Sequence, residues 1–345
     1  MKQSIYGYTL EGLQNLVLSL GLKKFNGEQI LRWLYQSQVK TIDEMTNLSL
    51  KVRDTLNENY EVFLPEIVKK QVSNDGTIKF LLKLSDGNLV ETVLMRYTYG
   101  NAVCVSSQVG CNMGCSFCAS GLLKKVRDLT SAEMVAEVMT VQHELNKTNE
   151  RVSHVVIMGI GEPFDNYDNV MQFIRCINEP KGLAIGARHI TVSTCGLVPK
   201  IKMLMKEQIQ INLAISLHAP NNKIRDKIMK VNHAYNMDAL HDVLVEYCAQ
   251  TNRRLTFEYI LLKGINDSTE HALELVKWLE GTFALVNLIP YNSVDESGYK
   301  RSEENSITNF FNVLKKHKIN VTIRREFGKD IEAACGQLRA KSEGK

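Results

Sequence analysis

Residues 102–121 read AVCVSSQVGCNMGCSFCASG, a predicted strand followed by a loop that carries three cysteines. Cys111, Cys115 and Cys118 have a Cys-x-x-x-Cys-x-x-Cys spacing. Three thiolates on one short loop can bind three corners of an iron–sulfur cube and leave the fourth iron open. A structural zinc ion would need a fourth ligand, and the nearest further thiol is Cys104. The spacing therefore favours a 4Fe–4S cluster over zinc.

Beyond this loop, apolar runs of strand length alternate with helical patterns, an order that predicts parallel β/α units. Ligands of such units bind at the carboxyl ends of the strands, where the cysteine loop begins. Six or seven units are too few for a closed eight-stranded barrel, so we predict an α/β fold with a partial, open β/α barrel. The predicted strands are 102–106, 154–158, 189–194, 211–217, 255–262, 285–290 and 319–324.

The part of the chain before the cysteine loop has a different pattern. Residues 1–75 predict short amphipathic helices and a compact accessory domain. Two apolar-rich runs, 77–84 and 89–95, flank the turn sequence SDGN at 85–88 and predict a β-hairpin. We therefore divide the chain into a helical accessory domain (1–75), a hairpin linker (76–96), a core (97–330) and a C-terminal segment (331–345).

The composition indicates a packed globular chain, with 44% hydrophobic and 23% charged residues among 345. The net charge of +4 is compatible with a polyanionic partner. The first residues lack the continuous apolar core of a signal peptide, and no stretch approaches the length of a membrane span. We expect a cytoplasmic protein that does not contact a membrane, where clustered cysteines indicate metal binding or catalysis more often than crosslinks.

Several motifs give the chain a specific resemblance. It resembles the RlmN/Cfr family of radical S-adenosylmethionine (SAM) rRNA methyltransferases, and the RlmN branch in particular. Phe117 before the last cysteine of the loop is typical of radical SAM enzymes. Pro163 resembles RlmN, because the Cfr branch usually has alanine there. Lys230 departs from both branches, which usually have proline at that position. The other matching motifs are EQILRWLYQ, EMTNLS, VETVLMRY, MGIGEPFDN, STCGLVP, AISLHAP, NLIPYN and RREFGKDIEAACGQLRAK.

The resemblance implies an enzyme that methylates C2 of adenine 2503 in 23S rRNA and C2 of adenine 37 in tRNA. It implies an S-methylcysteine intermediate and two SAM molecules per turnover. The implied cofactors are one 4Fe–4S cluster and SAM. The implied partners are 23S rRNA, tRNA and an external electron donor such as flavodoxin or ferredoxin, and we expect the chain to be a monomer.

The resemblance also assigns roles to residues that would otherwise attract no attention. The methyl-carrying cysteine maps to Cys335, the cysteine that forms a disulfide with it to Cys104, and the base to Glu91. A glutamate on a hairpin is usually a solvated charge, so the role of Glu91 rests on the resemblance. The family's SAM-contacting positions map to Gly161, Glu162, Ser193, Ser216, Leu217, His218 and Asn292.

Three other functions remain open on the sequence. The first is methylation of adenine C8, the reaction of the Cfr branch. The second is a zinc-stabilised RNA-binding factor without catalysis. The third is a radical SAM activator of another protein, which would have no use for the pair Cys104 and Cys335. The basic segments 315–318 and 324–325, together with the helical N-terminal domain, predict contact with RNA.

Overall fold

A ten-stranded sheet organises the computed structural model, which describes residues 2–294, 297–334 and 336–338. Two further pairs of very short strands lie beside it. The strands are β1 (Gln3–Ser4), β2 (Tyr60–Glu61), β3 (Glu66–Val72), β4 (Ile78–Lys83), β5 (Leu89–Tyr97), β6 (Gly100–Val105), β7 (Gln108–Val109), β8 (Arg127–Asp128), β9 (Val152–Ile157), β10 (Ile190–Thr194), β11 (Asn212–Ser216), β12 (Leu255–Leu261), β13 (Ala284–Pro290) and β14 (Asn320–Ile323).

Helices cross between successive strands of the core. No helix in the described ranges combines the length and apolar character needed to cross a membrane. The α-helices are α1 (Leu10–Ser19), α2 (Lys24–Arg32), α3 (Leu50–Asn59), α4 (Ser131–Leu145), α5 (Tyr167–Asn178), α6 (Val198–Leu204), α7 (Asn222–Ile228), α8 (Met237–Thr251), α9 (Thr269–Trp278) and α10 (Glu304–Lys316).

The sheet order is β14-β13-β12-β11-β10-β9-β6-β5-β4-β3. The seven strands from β14 to β6 in this order pair in parallel, and at least one helix lies between each pair that follows in sequence. Each of them lies within two residues of its predicted bounds, so the predicted α/β fold is confirmed. The sheet ends at β14 and β3 without closing, as a partial barrel does.

The parallel part of the sheet must be strongly curved. Met158, which follows β9, and Arg324, which follows β14, line the same cavity. In a flat sheet these strands would lie about 24 Å apart, because neighbouring strands are spaced by about 4.8 Å. Curvature therefore brings the carboxyl ends of β9 to β14 around one space, the usual position of an active site in β/α folds.

Two predictions for the N-terminal part need correction. Residues 66–72 form the edge strand β3 instead of belonging to a helical domain, because their side chains are mostly exposed and give no periodic apolar signal. The hairpin at 76–96 is no linker: its second arm, β5, pairs with β6 at Val93 and Cys104, so the hairpin extends the core sheet. The predicted turn at 85–88 does connect its two arms.

The N-terminal helices share an apolar core with the barrel. Leu13 of α1 and Ile30 of α2 are buried in the same continuous cluster as Val155 of β9 and Phe257 of β12. Burial of this surface stabilises both parts together, since the hydrophobic contribution grows with the apolar area removed from water.

Replacement of Phe257 by alanine tests this core. The ring is fully buried and packs against Trp278, with ring centroids 5.7 Å apart. We expect the loss to lower the free energy of unfolding by about 3–5 kcal/mol. The measurement is denaturant unfolding of F257A beside F283A, whose ring is 53% exposed and which we expect to unfold like the wild type. Equal losses in the two variants would contradict the assigned packing.

Candidate active site

The curved sheet edge holds a cavity that contains all three cysteines of the 111–118 loop. Five of the seven residues implied to contact SAM line the same cavity, although they come from three separate strand ends. Those five residues are Gly161, Glu162, Ser193, Ser216 and His218. The fold thus brings together the two groups of residues that the sequence singled out.

Backbone hydrogen bonds hold the cysteine loop. The N–H of Cys111 donates to the carbonyl of Leu123 at 3.1 Å, and the N–H of Cys118 donates to the carbonyl of Cys115 at 3.2 Å. Gly121 closes the loop, because a Cβ atom there would lie only 2.6 Å from the carbonyl oxygen of Cys115. These contacts within the chain set the conformation of the loop.

The three thiols fit an iron–sulfur cube better than a single ion. Burial raises the pKa of Cys111 to about 11, and burial with the charge of Cys118 raises the pKa of Cys115. Bound cations would favour the thiolates instead. Among the described residues, no three His, Cys, Asp or Glu side chains are placed to hold one metal ion. In a cube each thiolate binds a different iron, so the sulfur atoms need not meet at one point.

Glu162 presents a buried carboxylate to the cavity. Its Oε1 accepts from the N–H of Phe164 at 3.0 Å, and its Oε2 accepts from the N–H of Cys195 at 2.8 Å. Burial raises the pKa of Glu162, so a cation is the ligand that this carboxylate would favour. Gly161 is required beside it: its φ is +111°, and a Cβ atom would lie 2.7 Å from Ser107 Oγ.

The ends of β10 and β11 supply neutral polar groups. Ser193 Oγ and Ser216 Oγ lie 3.3 Å apart. The N–H of Ile260 donates to His218 Nδ1 at 3.1 Å, which places the proton of a neutral imidazole on Nε2. Burial and the charge of Arg225 lower the pKa of His218 to about 3, so the ring is neutral at physiological pH.

Leu217 and Asn292 lie differently from the other implied SAM residues. Leu217 is buried in the core, and its N–H donates to the carbonyl of Glu258 at 3.1 Å. Asn292 lines a second cavity, and its Oδ1 is buried without a hydrogen-bond partner among the described residues. An unsatisfied buried acceptor costs about 1–3 kcal/mol, and a ligand donor would remove that cost.

The second cavity adjoins the first and contains Cys104. Met158, Ile289 and Arg324 line both cavities. Cys335 lies outside the described residues. Its chain neighbours are described: Ala334 lines the second cavity and Gly336 lines the first.

Glu91 is not the solvated charge that hairpin glutamates usually are. Its side chain is about 8% exposed and lies 3.4 Å from the ammonium of Lys79, which is equally buried. Glu91 and Val93 lie on one face of β5, because alternate residues of a strand share a face. Val93 pairs with Cys104, so Glu91 shares the sheet face of Cys104.

Sequence motifs assign no role in this site to four further residues of the region. Cys195, Glu258 and Arg324 line the first cavity, and Arg225 is buried directly behind it. Arg324 Nη1 lies 3.5 Å from Glu258 Oε2, so this residue of the basic segment 324–325 lines the cavity, and contact of the segment with RNA stays a prediction. Cys195 follows directly on β10, so its place at a strand end was the one available signal.

Comparison with known proteins agrees with this geometry. The sequence models of the radical SAM superfamily and of the ribosomal RNA large subunit methyltransferase N-terminal domain match residues 105–276 and 3–62. The "Probable dual-specificity RNA methyltransferase RlmN" of Spiroplasma citri is 57% identical over 341 residues, which are 99% of this chain and 98% of that protein. The chain belongs to the RlmN family.

Other RlmN relatives agree over the full length. A protein of the same description from Listeria monocytogenes is 56% identical over 99% of this chain and 94% of its own length. The crystal structure of a radical SAM methyltransferase from Sphaerobacter thermophilus superposes with a TM-score of 0.94 at 40% identity, covering 98% of this chain and 100% of that one. This RlmN chain is therefore a radical SAM RNA methyltransferase.

A buried carboxyl group supports the site from behind. Glu137 of α4 is fully buried, and its Oε2 accepts hydrogen bonds from the Thr92 hydroxyl and from the N–H of Ser106, the latter at 3.0 Å. Ser106 Oγ in turn donates to the Glu91 carbonyl at 2.8 Å and accepts from the N–H of Ile160 at 3.1 Å. Glu137 therefore connects β5 and β6 to the loop that carries Glu162.

The pH dependence of stability tests this carboxyl group. Burial raises the pKa of Glu137 from 4.5 to about 8, so its contribution to stability is complete below about pH 4.5 and is lost as the pH rises through 8. We expect the free energy of unfolding to fall in this window by at most about 1.4 kcal/mol per pH unit. Denaturant unfolding of E137Q should give a shallower pH slope than the wild type. Identical slopes would contradict the buried neutral carboxyl group.

Proposed function

We propose that this enzyme methylates C2 of adenine 2503 in 23S rRNA and C2 of adenine 37 in tRNA, with Cys335 as the methyl carrier. The observation that carries the proposal is the pair of adjoining cavities. One is lined by the cysteine triplet and Glu162, and the other by Cys104 and a chain neighbour of Cys335. The dual specificity in the names of the relatives supports both RNA substrates.

The target atom explains why such a site is needed. Adenine C2 lies between two ring nitrogens and is electron-poor, so it does not attack the electrophilic methyl group of SAM. A methyl group that is first placed on a cysteine can be activated as a carbon radical, and a radical does add to such a carbon.

Cys111, Cys115 and Cys118 would hold the 4Fe–4S cluster. When bound, this cluster supplies the electron that cleaves SAM and so provides a 5′-deoxyadenosyl radical. Glu162 is placed to accept hydrogen bonds from the SAM ammonium group. The unpaired Asn292 Oδ1 offers a further acceptor, and the neutral His218 ring adds no charge that would repel the sulfonium.

The protein residues carry the methyl group in four steps. The Cys335 thiolate displaces the methyl group of a first SAM molecule. The resulting S-methyl group loses a hydrogen atom to the radical derived from a second SAM, and its methylene carbon adds to C2. The adduct radical then loses one electron, which the oxidised cluster held by the cysteine triplet would take back, and Glu91 accepts the C2 proton. Finally the Cys104 thiolate attacks the sulfur of Cys335, the carbon leaves with the bonding pair and takes a proton, and the disulfide awaits an external reductant.

The substrate must present an unstacked base. An adenine in a helix cannot reach a cavity inside a barrel, so the target lies in a loop or is extruded from its stack. Lys315 and Lys316 end α10, where the exposed basic segment 315–318 offers charges for the phosphate backbone. Flavodoxin or ferredoxin is the proposed electron donor, and the enzyme acts as a cytoplasmic monomer.

Nucleoside mass spectrometry tests the proposed reaction. Anaerobically reconstituted enzyme is incubated with SAM, a reductant and either protein-free 23S rRNA or tRNA, and the digested RNA is analysed. We expect 2-methyladenosine from both substrates. An 8-methyl product would assign the enzyme to the Cfr reaction. Protein that carries zinc and cleaves no SAM would exclude the radical mechanism.

Replacement of Cys104 by alanine tests the disulfide step. Without this thiol the crosslink between Cys335 and RNA cannot be resolved, so we expect a covalent protein–RNA species to accumulate while turnover stops. The measurement is denaturing electrophoresis with labelled RNA. C248A is the matched control, because Cys248 is half-buried near the end of α8 and should be dispensable. Multiple turnovers by C104A would contradict the assignment.

A further inference from the structure

Arg225 of α7 is a fully buried cation behind the cysteine cavity. Its Nη2 donates to the carbonyl of Cys195 at 2.6 Å and to that of Ser216 at 3.3 Å. Its Nε donates to the carbonyl of Leu217 at 3.2 Å, and its Nη1 donates to Asn232 Oδ1 at 3.0 Å. All four acceptors are neutral, so these hydrogen bonds leave its charge uncompensated.

One carboxylate lies near Arg225 and is engaged elsewhere. Asp226 attracts the guanidinium electrostatically, but its Oδ1 accepts from Asn232 Nδ2 at 2.7 Å and lies 3.6 Å from His233 Nδ1. Its side chain is also 40% exposed, so water screens much of its charge. A buried guanidinium held mainly by neutral groups is costly, because desolvation of a charge is not repaid without a counter-charge.

The charge of Arg225 acts on the groups of the first cavity. Its guanidinium donates to the carbonyls of Cys195 and Ser216, and both residues line the same cavity as the cysteine triplet. It also contributes to the lowered pKa of His218, which lines this cavity as well. The positive potential of Arg225 therefore reaches the place where a cluster held by the triplet would lie.

We propose that Arg225 is the fixed counter-charge of the cluster and that its role is to raise the reduction potential of that cluster. The inference rests on the proposed cluster and adds a residue to its function. Reduction adds one electron and no proton, so the negative charge at the triplet increases by one. A nearby buried cation stabilises the reduced form more than the oxidised form, and little solvent is present to screen it.

A purely structural role makes a different prediction. The same guanidinium connects Cys195 at the end of β10 to Ser216 and Leu217 at the end of β11, which are implied SAM residues. If that connection were its whole function, R225K and R225Q would raise the KM for SAM similarly and leave the potential of the cluster unchanged. Arg225 lies behind the cavity and contacts none of the reacting atoms. It is therefore a positioning residue whether its role is electrostatic or purely structural.

The test is a potentiometric titration of the cluster, followed by electron paramagnetic resonance, in wild type, R225K and R225Q without SAM. At a fixed solution potential we expect the reduced-to-oxidised ratio of R225Q to fall about tenfold, which is about 59 mV for a one-electron couple. R225K keeps the positive charge, so its cluster potential should differ from that of the wild type by no more than about a third of that shift. Equal potentials in R225Q and the wild type would overturn the proposal.

A second pair of variants keeps Arg225 in place, in case R225Q does not fold. The double variant D226N/N232D moves one carboxylate from position 226, which is 40% exposed, to position 232. In the wild type, Oδ1 of Asn232 accepts a hydrogen bond from Arg225 Nη1 at 3.0 Å, so the new carboxylate would lie against the guanidinium. We expect the reduction potential of the cluster to be lower in D226N/N232D than in D226N, because D226N has a carboxylate at neither position. Equal potentials in D226N and D226N/N232D would also overturn the proposal.

The outcome for the wild type separates this inference from the proposed function. Wild-type protein that holds no reducible iron–sulfur cluster would refute the proposed function and this inference together. If the wild type cleaves SAM but the variants show unchanged reduction potentials of the cluster, only the role of Arg225 is refuted.

Discussion

Parallel pairing of β6 with β9 is the constraint on which the site depends. Its register places Val105 beside Ile157, so the two loops that follow these strands leave the sheet side by side. The N–H of Gly159 donates to the Val105 carbonyl at 3.0 Å and continues that contact beyond the strands. The cysteine loop and Glu162 thereby share one cavity without any direct link between them in sequence.

Much of this arrangement could be predicted because it follows from local patterns. Alternating apolar runs located the seven parallel strands, and the cysteine spacing located the loop. The edge strand β3 could not be predicted, because its side chains are mostly exposed and backbone pairing with β4 holds it in place. The partners of Glu91 and Arg225 could not be predicted either. Glu91 contacts Lys79, and Arg225 contacts Cys195, only because the register of the sheet and the curvature of the barrel place them side by side.

Buried charge is the common element of the site. Glu162, Glu258 and Glu137 are all buried, and burial raises the pKa of each. Glu258 has Arg324 beside it, whereas Glu137 is mostly neutral below its raised pKa. Arg225 lies behind the cavity that holds Glu162 and the cysteine triplet, and the ligands of the proposed function would add positive charge in front of them. A site arranged in this way favours a sulfonium cosubstrate with its ammonium group and the iron ions that the cysteine thiolates would bind.

The most direct measurement is the release of 5′-deoxyadenosine from SAM by protein purified without air. With dithionite as reductant, the wild type should contain about four irons per chain and form 5′-deoxyadenosine. The triple variant C111A/C115A/C118A should contain no cluster iron and form no 5′-deoxyadenosine, but it should remain folded. Formation of 5′-deoxyadenosine by the triple variant, or its absence from iron-loaded wild type, would contradict the account.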